Sequence, residues 1–500
     1  MSVSARIPPN EQSLAEPCED KRQQLGQFFT PPQIADLMAT FFEGGWRDLN
    51  LLDAGAGSGS LTAAVVKRLC ASDGKPRQIS VTAYEVDGAL MEPLRSTMRH
   101  CEEECDRAGI RFRATVQNED FIAAAVPLAN DDLFAGPAPR FNAAIVNPPY
   151  RKIRGDSNTR LLLRSAGIET TNLYTGFLAL IARLLDDGGE IAAITPRSFC
   201  NGPYFERFRA DFLRTMSLRR LHVFDSRSAA FRKDNVLQEN VVVHAVKGAK
   251  PPRTVLVSSS GGASASEVIS REMRYRDVVS PKDPHQFIHF AQNSGHDKAR
   301  ASMGMLTSSL PLLGLNVSTG RVVDFRAKGH LRMRPDHDTA PLIYPCHFNG
   351  GFVHWPKEQT RKPNAIVSDE RTRSLLIPSE IYVLVKRFTA KEERRRIVAC
   401  IYDPIQVSGS LVAFENHLNY FHSNGHGLSM SLAKGLAAFL NSTIVDSYFR
   451  QFNGHTQVNA ADLRSLSYPP RAKLESLAGK IKDPGMPQAD LDALVEPEIF

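Results

Sequence analysis

A chain of 500 residues exceeds what one hydrophobic core organises and suits two or three domains. Its 42% hydrophobic and 23% charged residues exclude bulk disorder, and no apolar run approaches the length of a membrane span. The net charge of +7 is uneven: residues 1–250 carry 31 basic and 30 acidic side chains, whereas residues 251–480 carry 29 basic and 19 acidic, a net of +10. That asymmetry points to a polyanionic partner for the second half.

The opening stretch MSVSARIPPNEQSLAEPCEDKR has no apolar core of the kind a secretory signal needs, so a cytoplasmic location is expected, with residues 1–21 as a flexible leader. TPPQIADLMATFF predicts a helix with Thr30 as N-cap and prolines in its first turn. LNLLDAGAG reads as a buried parallel strand broken by glycines, followed by the helix SLTAAVVKRLCAS and the strand ISVTAYEVD. ALMEPLRSTMRHCEEECDRAG is an amphipathic helix closed by glycine, and IRFRATVQNEDF and FNAAIVNPPY are further strands with polar ends. LYTGFLALIARLLDDGG predicts a helix with a glycine stop, EIAAITPRSF a strand and FERFRADFLRTM a helix; LRRLHVFD and VLQENVVVHAVKG read as strands.

This alternation predicts a doubly wound α/β domain over residues 22–250. Beyond the exposed loop SSSGGASAS the alternation fades, so a mixed α+β domain is expected over 251–480, followed by an acidic tail over 481–500. The seven cysteines are scattered; Cys101 and Cys105 share a helix face, but no further ligands follow at metal spacing, so reduced thiols and no metal site are expected.

In open α/β sheets ligands sit at the carboxyl ends of strands, and four such ends carry Asp53, Glu85, Asp120 and Asn147. Gly55 and Gly57 allow close approach of the backbone to a ligand. An acid ahead of the glycines repels a pyrophosphate and favours a cation, such as the ammonium or sulfonium of S-adenosylmethionine. Glu85 is placed to accept from ribose hydroxyls, Asp120 to meet the adenine amino group, and Phe121 to pack on its ring.

Asn147-Pro148-Pro149-Tyr150 then suggests amine chemistry. The exocyclic nitrogen of adenine is a poor nucleophile because its lone pair is delocalised. Two acceptors, the Asn147 side-chain oxygen and the Pro148 carbonyl, can hold its two N–H groups and aim the lone pair at a methyl donor. The prolines stiffen the loop, and Tyr150 offers a face for the base.

In order, GQFFTPPQIADLM, LLDAGAGSGSLT, YEVD, NEDF and NPPY resemble the motifs of gamma-class N6-adenine DNA methyltransferases of restriction–modification systems. The resemblance implies a class I, Rossmann-like S-adenosylmethionine-dependent methyltransferase domain followed by a DNA target-recognition domain. It maps Thr30 and Pro31, with Asp53, Glu85, Asp120 and Phe121, onto cofactor positions, and Asn147 to Tyr150 onto the catalytic loop. It maps Phe231 onto the aromatic residue that sandwiches the flipped adenine opposite Tyr150. Asp53 stands where some relatives have Glu, which changes reach but not charge. Lys386, Arg387 and Arg394, in the densest basic cluster of the second half, are expected to contact DNA phosphates, although a run such as KEERRR is also common as a solvated helix face.

The expected activity is therefore methylation of adenine N6 in duplex DNA, with a partner endonuclease on a separate chain. The alternatives are methylation of a glutamine amide or an RNA base, or an inactive methylase fold retained to read DNA. The basic second half favours DNA, and the retention of Asp53, Glu85 and Asn147 favours an enzyme.

Overall fold

The α/β alternation assembles into one nine-stranded sheet in the computed structural model, which describes residues 29–130, 139–224, 239–260, 268–281, 283–290, 294–390, 392–407, 409–453 and 457–500. Its strands are β1 (Asp48–Ala54), β2 (Gln78–Tyr84), β3 (Arg111–Gln117), β4 (Phe141–Val146), β5 (Leu185–Pro196), β6 (Met216–Phe224), β7 (Asn240–Lys247), β8 (Thr254–Ser260) and β9 (Val268–Arg274). Their spatial order is 3-2-1-4-5-7-6-8-9. β1 to β5 are parallel, and β7 runs antiparallel between β5 and β6. The chain reverses its direction of travel across the sheet between β1 and β4, which opens a crevice at their carboxyl ends.

The central strands are apolar on both faces because helices cover both: residues 143–146 of β4 and 191–194 of β5 are all buried. On one face, helices Pro32–Ala39, Ser60–Cys70 and Met91–Ala108 share a core with β1, β2 and β4. Cys101 and Cys105 both point into it, as their spacing predicts, and burial pushes the Cys101 thiol up to about 12.

Some local expectations are corrected. The helix at Pro32 is capped by Pro31, whose carbonyl accepts from Ile34 and Ala35; Thr30 makes no cap bond. A hydroxyl at N-cap needs an N–H two or three residues on, and Pro32 removes the first donor of the turn. Helix Leu173–Leu184 ends without the expected glycine stop, since Leu185 is already extended. The following Asp-Asp-Gly-Gly forms a bulge at the start of β5, where the register against β4 jumps. Helix Phe121–Ala129 was not anticipated from its sequence.

The chain divides into two compact units, one holding residues through Pro196 with Arg207–Glu272, the other Arg197–Glu206 with Met273–Phe500. The boundary falls at residue 272, not 250, because β8 continues the first sheet in parallel beside β6. Composition marks where the charge changes, not where the backbone hydrogen bonding stops. The second unit is mixed α+β, with a six-stranded and a five-stranded sheet. Strands Tyr382–Lys386, Ala399–Tyr402 and Leu418–His422 pair antiparallel, and helices Met430–Leu440, Thr443–Phe452 and Arg471–Lys480 contribute to a core with them. Much of the expected acidic tail belongs to this core: helix Gln488–Ile499 buries Leu491, Val495 and Ile499, which are spaced by four on one face.

Candidate active site

At the end of β1 the chain turns through Gly55, Gly57 and Gly59, with φ of 86°, 58° and 86°, a region that favours glycine. The N–H groups of Gly55 and Ala56 both donate to the Tyr84 carbonyl of β2. Thr97, from the helix Met91–Ala108, donates to the Ser58 carbonyl at 2.7 Å. The turn is thus held from the neighbouring strand and from the helix behind it.

A cavity of about 170 Å³ opens at these strand ends. Gly55, Gly57, Glu85, Asp120, Phe121 and Asn147 line it together, as their order at strand ends predicts, with Pro149 beside them. Glu85 is buried and braced: Oε2 accepts from the Gly57 N–H at 2.9 Å and Oε1 from the Asp87 N–H at 2.7 Å. Burial raises its carboxyl above the ordinary glutamate range, while those two N–H groups pull it back. A carboxylate oxygen has two lone pairs, so this bracing is compatible with accepting from a diol.

Asp53 lies behind the glycine turn, fully buried and outside the cavity lining. Its Oδ2 accepts from Thr62 at 2.7 Å, and Oδ1 has no hydrogen-bond partner among the described residues. Burial raises this carboxyl to about 7. Asp120 caps the helix Phe121–Ala129, with Oδ1 accepting from the Ile122 N–H at 2.8 Å, which leaves the spare lone pair of that oxygen and the second oxygen for an adenine amino group. Phe121 is fixed between rings, 5.4 Å from Tyr84 and 5.0 Å from Phe177.

Asn147 is positioned by the residue expected at the cap: its Nδ2 donates to Thr30 Oγ1 at 3.0 Å. Pro148 is buried, and Tyr150 packs against the sheet core. The Tyr150 hydroxyl donates to the Ile194 carbonyl of β5 at 3.3 Å, and its ring meets Tyr174 edge-on at 6.4 Å. Burial raises that hydroxyl well above its usual range, which keeps it neutral. Thr30, Pro31, Pro148 and Tyr150 flank the cavity without lining it. Phe231 lies outside the described residues.

Several lining residues were not singled out in the sequence: Phe29, Val86, Glu119, Arg151, Thr159, Leu173 and Phe177. Phe29, Val86 and Glu119 lie inside quoted motifs and Arg151 directly follows one, and that position was the available signal. Phe177 had none, being one apolar position among many in its helix.

The second-unit cations separate. Lys386 sits over the Phe348 ring at 5.8 Å, and Arg387 donates to the Asn416 carbonyl and to Gln457. The KEERRR stretch is not helical among its described residues. Arg396 is buried and donates to Thr389 and Asn453, Arg395 donates to the Asn441 carbonyl, and Arg394 alone of the three is exposed. Of this run Arg396 alone is buried among the described residues, its main-chain N–H donating to Asp446 and its guanidinium to Asn453, while Lys386, Arg387 and Arg395 are half-buried.

The residues present fit S-adenosylmethionine. The unmatched Asp53 Oδ1 suits a cation, the braced Glu85 suits a ribose diol, and Phe121, Phe177 and Val86 suit a flat heterocycle. Sheet order 3-2-1-4-5-7-6 with an antiparallel seventh strand, and a cavity at this switch point, define the class I S-adenosylmethionine-dependent methyltransferase fold.

Residues 95–231 match the Eco57I restriction-modification methylase family. The chain is 43% identical over 477 residues to the type II methyltransferase M.PstI of Providencia stuartii, covering 95% of this chain and 93% of that protein. It is 44% identical over 465 residues to M.BsuBI of Bacillus subtilis, covering 92% and 91%. Among solved structures, the type IIG restriction endonuclease BpuSI is similar at 16% identity and a TM-score of 0.44, over 96% of this chain and 64% of that one. The chain belongs to the type II methyltransferase family of restriction–modification systems.

Proposed function

We propose that this enzyme transfers the methyl group of S-adenosylmethionine to N6 of an adenine in a specific duplex DNA sequence, protecting it from a separate restriction endonuclease. The observation that carries this reading is the amide of Asn147, oriented by Thr30 at the rim of the cavity and next to two prolines. With Nδ2 engaged by Thr30, the Asn147 oxygen and the Pro148 carbonyl are the acceptors for the two N–H groups of the target amine. Accepting both protons' hydrogen bonds draws the nitrogen towards a tetrahedral form and aims its lone pair, without a strong general base.

Asp53, Glu85, Asp120 and Phe121 hold the cofactor through its ammonium, ribose and adenine. When bound, S-adenosylmethionine supplies an electrophilic methyl group. Methylation of a ring carbon requires a covalent nucleophile, usually a thiolate, and no cysteine lines the cavity among the described residues. An exocyclic amine is therefore favoured. A stacked, paired adenine cannot present its lone pair in line, so the base is extruded, with Tyr150 as one wall of its site.

Mass spectrometry of nucleosides from DNA of cells expressing the protein tests this reading. N6-methyladenine is expected, and it should vanish in Asn147→Ala while cofactor binding is kept. N4-methylcytosine, or modification of RNA or protein glutamine alone, would replace it.

A further inference from the structure

Most cations of the second unit that the structure describes face an acid or a carbonyl. Arg300 meets Asp277 and Asp297, Lys298 meets Glu496, Arg450 meets Asp446, and Arg471 meets Glu475. Residues 321–334 hold three that do not. Arg321, Arg326, Lys328, Arg332 and Arg334 are all exposed there, against a single acid, Asp324; Arg321 donates to the Ser374 carbonyl and Arg332 to the Gly329 and Leu331 carbonyls. That acid is already held, by the Tyr344 hydroxyl at 2.7 Å and Lys362 at 2.8 Å. Lys328 and Arg334 make no hydrogen bond or ion pair among the described residues, and Arg326 meets only the Phe325 ring, at 5.5 Å.

Two large apolar side chains stand out of this basic surface, Phe325 at 77% exposed and Met333 at 51%. They are presented from a firm base. Val322 and Ala327 are buried on either side of Phe325. The preceding Gly320 is seated so closely on strand Leu411–Phe414 and Glu415 that a Cβ would fall 2.1 Å from the Glu415 carbonyl oxygen. Four arginines and a lysine against one acid that is already engaged make a charge excess that a polyanion matches better than a protein surface of mixed sign. It suits a nucleic acid, whose phosphates take the cations and whose bases take the ring.

Building on the DNA reading above, we infer that residues 321–334 form a duplex-DNA contact surface, with Arg326, Lys328 and Arg334 on phosphates and Phe325 against a base step.

The test uses the full chain, a labelled random-sequence duplex for binding, and methyl transfer from radiolabelled S-adenosylmethionine to genomic DNA. Replacing Arg326, Lys328 and Arg334 by Gln should lower the slope of log affinity against log salt by about two to three. Phe325→Ala should leave that slope unchanged and raise the KM for DNA about tenfold or more, and Phe325→Trp should restore it. Cofactor affinity, measured by calorimetry, should not move in any variant, and the circular dichroism spectrum and thermal transitions of each should match the wild type, which shows that both units are folded. If the wild type methylates DNA and the variants match it in slope and KM, the segment does not contact DNA and the inference fails alone. If the wild type neither binds nor methylates DNA, the proposed function fails and this inference with it.

Discussion

Asp53 and Glu85 are buried carboxyls at adjacent strand ends, and burial raises both above their usual range. They differ in bracing: Glu85 has a main-chain donor on each oxygen, whereas Asp53 is held by Thr62 and keeps one unmatched oxygen. A carboxyl whose folded value lies above its unfolded value contributes stability at low pH that is lost as pH rises through the folded value. For Asp53 that window runs from the ordinary aspartate range up to about 7. The cofactor-free protein should thus lose stability from about pH 4 up to about pH 7 and level off above, and Asp53→Asn should flatten that slope, as read by thermal melts across pH. A cation bound near Oδ1 favours the ionised form, so cofactor binding at pH 6 should release a fraction of a proton. Calorimetry in two buffers of different ionisation enthalpy measures it. Equal release in wild type and Asp53→Asn would remove Asp53 from the cofactor site.

At the scale of elements, the glycine turn is a packing requirement as much as a ligand requirement. A Cβ on Gly59 would stand 3.0 Å from Leu94 Cδ1 and Thr97 Cγ2, in a backbone region at φ 86° that disfavours any side chain. Helix Ser60–Cys70 starts at this residue, and helix Met91–Ala108 packs over it. Gly59→Ala should therefore destabilise the fold by about 1–3 kcal/mol through strain and crowding together. Chemical denaturation measures this directly, and a neutral result would show that the helix shifts away freely. Because Thr97 also donates to the Ser58 carbonyl, the shift should reach the cavity and weaken cofactor binding in the same variant.

For the whole molecule, the C-terminal residues are structural. Leu491, Val495 and Ile499 are buried in the core of the second unit, and removing such side chains costs about 2–5 kcal/mol each. Leu491→Ala combined with Val495→Ala should lower the melting transition of that unit, with cofactor binding by the first unit retained. Differential scanning calorimetry with and without S-adenosylmethionine separates the two. A single unshifted transition would show that the helix contributes nothing. DNA binding should fall with the second unit, since the spare positive charge resides there.

Much of the site was legible in the linear sequence because its parts have local causes. A glycine at positive φ, an acid ending a buried strand and prolines after an asparagine each obey constraints set within a few residues. Parallel strands are apolar runs wherever both faces are covered, so the α/β alternation was readable too. What tertiary structure decided is which distant groups meet. Thr30 was readable as a helix cap, yet its hydroxyl serves Asn147, 117 residues away. Phe177 was one apolar helix position among several until folding set it against Phe121. The arginines at 394–396 look alike in sequence, but Asp446 and Asn453 bury one and leave another in solvent. Residues 481–500 read as an acidic tail, but three residues spaced by four found a core to join. Local sterics and periodicity are written along the chain, whereas partner choice and desolvation depend on where the remaining elements pack.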